Sequence, residues 1–182
     1  MLEKVTVCFT GFLTDISPFC SNLTKFFHCM PPLLELHLCD STLEYLIMGG
    51  VPESPPTALN NIKSLKFLRM SLRNVKEVSG AVYLMTSCLK LQHLTIEFRV
   101  NVEGVVEFLR AQSFLYGAVK LQRVQVNMFM GLEMEMEFIK YILAYAPVLE
   151  EIFFGILHIS VFVRPQNYMH DLIHHCRMTP LD

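Results

Sequence analysis

One arrangement of apolar and polar positions returns along the chain: a leucine, two residues, an aliphatic, one residue, an apolar. It reads Leu33-Leu34-Glu35-Leu36-His37-Leu38, then Leu65-Lys66-Phe67-Leu68-Arg69-Met70, then Leu91-Gln92-His93-Leu94-Thr95-Ile96. Leu121-Gln122-Arg123-Val124-Gln125-Val126 and Leu149-Glu150-Glu151-Ile152-Phe153-Phe154 follow. The copies start 32, 26, 30 and 28 residues apart. Alternation of this kind predicts a short strand in each. The period predicts a stacked array, because one such unit cannot bury its apolar side alone.

Helical spacing fills the intervals. Ser17-Pro18 opens a first helix, with Ser as cap and Pro at the first position, and Phe19, Leu23, Phe26 and Phe27 share one face until Pro31-Pro32. Asn74 caps a second with Val75, Val78, Val82 and Met85 inward, weakened at Gly80 by about 1 kcal/mol relative to Ala. Asn101 caps a third, carrying Val102, Val105, Val106 and Leu109. A fourth runs from Glu133 to Ala146 and stops at Pro147, and a last one follows Pro165. Between Thr42 and Pro56, Leu43, Tyr45 and Ile47 alternate with their neighbours, predicting an extra strand and a loop. The stretch Ile152–Val163 is too short for a membrane span, which takes about 20 residues, and reads as a buried strand or pair of strands.

A doubly wound sheet is covered on both faces, so its strands run almost continuously apolar. Here the residues between the anchors are mostly polar: Glu35, His37, Arg69, His93, Thr95, Arg123, Gln125 and Glu151, with Phe67 and Phe153 the exceptions. One sheet face is therefore wet, and the helices lie on the other. The fold expected is α/β, a leucine-rich-repeat-like solenoid of about five strand–helix units with a concave sheet face. No GxGxxG or Walker-type loop supports nucleotide binding.

Composition narrows the function classes. Apolar residues make up 52% and charged residues 18%, which argues against extended disorder. The net charge of -2 gives no electrostatic reason to expect nucleic acid or an anionic membrane as partner. No apolar run of signal-peptide type follows Met1. Cysteines at 8, 20, 29, 39, 88 and 176 form no CxxC and read as reduced thiols, so the expected compartment is cytoplasm or nucleus.

Candidate chemistry is sparse. His170, His174, His175 and Cys176 place two histidines four apart, as zinc ligands on a helix require, but no HExxH or paired cysteines complete a site. A polar helix face is the simpler reading. Cys29, His37 and Cys39 make a weaker set. Glu133, Glu135 and Glu137 could serve acid–base work, yet acidic residues in a first turn also complement the helix dipole. No cofactor, no metal and no catalytic residue is assigned.

At these residues the sequence resembles the plant F-box/LRR-repeat proteins that carry a C-terminal FBD domain. The stretch from Leu121 to Phe154 carries the resemblance. Leu121-Gln122-Arg123-Val124-Gln125-Val126 precedes Gly131-Leu132-Glu133, Met136-Glu137-Phe138-Ile139-Lys140 and Ala146-Pro147-Val148-Leu149-Glu150. Upstream, Pro55-Pro56-Thr57-Ala58-Leu59-Asn60-Asn61-Ile62-Lys63-Ser64-Leu65-Lys66 resembles the same family's repeat region. The resemblance implies a leucine-rich-repeat region at 1–118 and an FBD-like region at 119–182 that continues the solenoid and ends before a last strand. Three features depart from the family. The F-box has no counterpart, the asparagine-ladder positions hold Ser41, Arg73, Arg99, Phe129 and Leu157, and the late R-x-S-P turn reads Arg177-Met178-Thr179-Pro180.

The function implied is a non-enzymatic protein-interaction module, like the substrate-recognition part of an SCF-type ubiquitin ligase. Without an F-box, no direct binding of the Skp adaptor is expected. The partner site expected on the concave face is Glu35, His37, Phe67, Arg69, His93, Thr95, Arg123, Gln125, Glu151 and Phe153. Two alternatives stay open: a truncated or competitor product with no ligase role, and a metal-dependent enzyme using the C-terminal His/Cys cluster.

Overall fold

A computed structural model describes residues 4–8, 23–28, 30–39, 42–50, 54–99, 120–156 and 159–163. Its strands are β1 (Lys4–Cys8), β2 (Glu35–Cys39), β3 (Ser64–Met70), β4 (His93–Phe98), β5 (Arg123–Asn127), β6 (Glu151–Ile156) and β7 (Ile159–Val163). They form one sheet in chain order, β1 to β6 parallel and β7 antiparallel to β6. The helices are α1 (Leu23–His28), α2 (Thr42–Leu46), α3 (Val75–Ser87) and α4 (Glu133–Tyr145), with a 3₁₀ turn at Thr57–Asn61. The class is α/β. No described helix is long and apolar enough to cross a membrane.

Register explains why these residues form strands. Leu36, Leu65, Leu94, Val124 and Ile152 stand opposite one another, and two residues on so do Leu38, Phe67, Ile96, Val126 and Phe154. All ten are at most 2% exposed. The helices lie against this side: Leu59, Leu84, Phe138, Ile139 and Ile142 belong to the same buried cluster. Burying each such side chain contributes roughly 1.5–3 kcal/mol.

A backbone device repeats with the strands. The N–H groups of Lys63 and Ser64 both donate to the Leu34 carbonyl, those of Gln92 and His93 to Lys63, those of Gln122 and Arg123 to Gln92, and those of Glu150 and Glu151 to Gln122. Two consecutive donors enter each of β3 to β6 in the same way, so these contacts define the repeat independently of side chains.

This register corrects the second repeat. Leu65 stands opposite Leu36, not Leu33, so the unit begins at Ile62 and reads Ile62-Lys63-Ser64-Leu65-Lys66-Phe67. The starts Leu33, Ile62, Leu91, Leu121 and Leu149 are then 29, 29, 30 and 28 apart. A further copy precedes them, because Val5 and Val7 pair with Leu36 and Leu38.

Other elements also differ from the sequence expectation. Thr42–Leu46 is α2 rather than a strand, because Leu43, Leu46 and Ile47 fall on one helical face and bury at 2%, 0% and 5%. That face approaches α3 at Gly80, where an added Cβ would lie 3.3 Å from both Leu43 and Ile47 side-chain carbons. The glycine that weakens the helix permits this contact. Asn74 caps α3 through Lys76 N at 3.0 Å, but Val75, expected inward, is exposed. Phe27 and Leu23 are buried as expected, whereas the Ser17-Pro18 start, the Asn101 helix and the helix after Pro165 lie outside the described residues.

Two left-handed residues end strands where no glycine is present. Arg69 has φ 58° and Met128 φ 56°. Each precedes a buried apolar residue, Met70 and Phe129, both 1% exposed. At Arg69 the turn forms a bulge, the register to β4 slipping between Phe67 and Met70. A left-handed non-glycine residue costs about 1–2 kcal/mol, and burying the following Met or Phe offsets it.

Candidate functional site

The sheet face opposite the core carries two polar rows. One row is Lys4, Glu35, Ser64, His93, Arg123 and Glu151; the next is Thr6, His37, Lys66, Thr95, Gln125 and Phe153. Parallel pairing places each residue beside its counterpart in the next strand. The rows are contiguous for that reason.

Of the ten residues expected here, His93, Thr95, Arg123, Gln125, Glu151 and Phe153 line one shallow depression of about 280 Å³. Arg123 Nε lies 3.0 Å from Glu151 Oε2, with both side chains about half exposed, a geometry worth at most about 1 kcal/mol. Gln122 Nε2 donates to Glu150 Oε1 at 3.4 Å beside it.

Glu35 and His37 sit further along the same face. His37 Nε2 lies 2.6 Å from Glu35 Oε1, and Lys66 Nζ lies 3.2 Å from the same oxygen. Thr6 Oγ1 is 3.4 Å from His37 Nδ1. With a carboxylate at Nε2, the neutral ring carries its proton there and Nδ1 accepts from Thr6. Burial alone would raise the Glu35 carboxyl, but the hydrogen bonds from His37 and Lys66 hold it below its ordinary value. Its contribution to stability is therefore present above the unfolded value and is lost as pH falls through the lower folded one. Urea titrations from neutral to acid pH should show a steeper acid loss for the wild type than for Glu35→Gln. Parallel curves would remove the assignment.

Phe67 and Arg69 do not belong to this face. Phe67 is 1% exposed in the core, between Leu38 and Ile96. Arg69 is exposed at the bulge and lines a separate depression of about 490 Å³ with Glu97, Phe98, Arg99, Asn127 and Met128. The corrected register replaces them by Ser64 and Lys66. An even period was the signal that could have found these two, since starting at Ile62 evens the spacing.

The glutamates of α4 have a structural part. Glu135, 3% exposed, accepts from Met130 N and Leu132 N through Oε2, each at 3.0 Å, and from the Gly131 backbone. Glu77 occupies the same third helical position of α3, is 1% exposed and accepts from Ser71 N at 2.7 Å. Glu137 pairs with Lys140 at 2.7 Å on the helix side. Glu77 and Glu135 thus tie the preceding loops to the helix starts.

No group of three or more His, Cys, Asp or Glu side chains suited to a metal occurs among the described residues. His170, His174, His175 and Cys176 lie outside them. The cysteine reading needs correction, because Cys8 and Cys39 are joined as a disulfide. Parallel register puts them opposite each other with Cα atoms 4.8 Å apart, which a sequence separation of 31 conceals. Cys88 is a free, buried thiol, pushed up to about 12 by burial.

Comparison with known proteins found two matches. The FBD family model matches residues 119–154, which run through β5, α4 and into β6. An F-box/FBD/LRR-repeat protein of Arabidopsis thaliana is 28% identical over 137 residues, covering 72% of this chain and 33% of that protein. The chain thus aligns with about one third of the length of this relative. No solved structure gives a significant match.

Proposed function

We propose that this chain, a relative of the plant F-box/FBD/LRR-repeat proteins, is a non-enzymatic protein-interaction module that holds a protein target on its open sheet face. Its strand–helix units build a leucine-rich-repeat-like solenoid, with residues 1–118 as repeats and 119–182 as the FBD-like continuation. The compartment is cytoplasm or nucleus, and the role is substrate recognition in a ubiquitin ligase of the SCF type. Residues 1–182 alone make no contact with the Skp adaptor.

One observation carries this reading. Six strands in unbroken order leave their polar rows side by side, and six of the expected residues share one depression. A continuous half-polar strip suits an extended protein surface better than a small substrate. Arg123 can present two donors to a carboxylate or phosphate of the target if Glu151 yields, and Phe153 offers an aromatic anchor beside it.

The test uses a partner identified from plant extract and then measured with purified components. Changing Arg123 and Phe153 together to Ala should weaken binding at least tenfold, equivalent to about 1.4 kcal/mol. Lys140→Ala, on the helix side, should leave it unchanged. Loss of binding from the helix-side change, with the sheet-face double variant unaffected, would move recognition to the helices.

A further inference from the structure

We infer that the Cys8–Cys39 pair is a thiol–disulfide exchange site for a small thiol of the glutathione type, entered at the Cys8 sulfur. The two residues face each other across β1 and β2 with Cα atoms 4.8 Å apart, inside the usual disulfide range of about 4.4–6.8 Å. The bond can therefore form and open on the same backbone.

Their surroundings are unequal. Cys8 is exposed, whereas Cys39 is 7% exposed. β1 pairs with β2 alone among the described strands, so the Cys8 side is the approachable one. Behind Cys39, the Thr42 hydroxyl is shared between the carbonyls of Cys39 and Val7. That contact holds both strand ends in place while the sulfurs react. Cys88, the one other described cysteine, is fully buried and does not compete.

In the reductive direction, a glutathione thiolate attacks Cys8 Sγ. The Cys8–Cys39 bond breaks, and Cys39 leaves as a thiolate that takes up a proton. A second glutathione thiolate attacks the glutathione sulfur of the mixed disulfide, releasing oxidised glutathione and the Cys8 thiol. Two thiols are oxidised for one protein disulfide reduced, and oxidised glutathione drives the same steps in reverse. Opening the bond leaves β1 on the sheet through its backbone ladder and the half-buried Val5 and Val7.

The full chain is equilibrated in glutathione buffers of graded redox ratio, quenched with acid and mapped by peptide mass. Glutathione should be trapped on Cys8 in Cys39→Ser, and none on Cys39 in Cys8→Ser. Reduction should speed amide exchange in residues 4–8 at least tenfold and leave β4 and β5 unchanged. Adduct on Cys39, free thiols at both positions in oxidised glutathione, or an unaltered β1 would each overturn the assignment. If Cys39→Ser does not fold, rapid quenching of the wild type reads the site of the first adduct instead.

Discussion

Replacing Phe67 by Ala should destabilise the chain by about 3–5 kcal/mol, a fall in melting temperature of roughly 6–20 °C. Phe67 is 1% exposed, stands between Leu38 and Ile96 and belongs to the central row of the core. Truncation removes the ring and leaves a cavity among side chains already fixed by register. Its neighbour Lys66 gives the contrast. It faces outward to Glu35 at 3.2 Å, so Lys66→Ala should cost about 1 kcal/mol or less. Thermal unfolding of both variants decides between two readings of one hexapeptide. Were Phe67→Ala nearly neutral and defective only in partner binding, the repeat would begin at Leu65 after all.

Glu135→Ala should cost about 2–4 kcal/mol, because the backbone N–H groups of Met130, Gly131 and Leu132 lose their acceptor together. Glu135→Gln keeps one acceptor oxygen and should lose less. The pH dependence has the opposite sign to that of Glu35. Burial raises the Glu135 carboxyl, and this outweighs the backbone hydrogen bonds that lower it. A raised folded value means that the native state binds the proton more tightly. The residue's contribution therefore falls as pH rises from the unfolded to the folded value, and is level above it. Urea midpoints of wild type and Glu135→Gln should converge as pH rises through that interval. Divergence there would mean that the carboxylate form is the one the fold prefers.

Most of the sheet was legible because parallel strands repeat their alternation, and Leu36, Leu94, Val124 and Ile152 all declared themselves. Ser64–Met70 misled because Leu68, and Met70 buried beyond the bulge, let Leu65 imitate the first anchor Ile62 three residues late. That slip put Phe67 and Arg69 on the wrong side, whereas the other eight residues named from the sequence do lie on the open sheet face. The α2 segment misled because five residues are too few to tell a period of two from one of 3.6. The Cys8–Cys39 pair was hidden because register between distant strands is a tertiary property. The missing asparagine ladder has a physical counterpart in Phe129, which fills its position from inside the core after a left-handed Met128 turns the chain.

The shared carbonyls at Leu34, Lys63, Gln92 and Gln122 bear on how such a chain changes length over generations. Each accepts the same two donors, so a unit is joined to its neighbour by a standard fitting rather than a bespoke one. Excising residues 62–90 would bring Gln92 and His93 to the Leu34 carbonyl and set Leu94 beside Leu36, with every row still in phase. Removing one residue from within a strand would instead turn that strand's polar side chains into the core. Length can therefore drift freely within the connecting loops, whereas the sheet itself is counted in whole steps of about 29 residues.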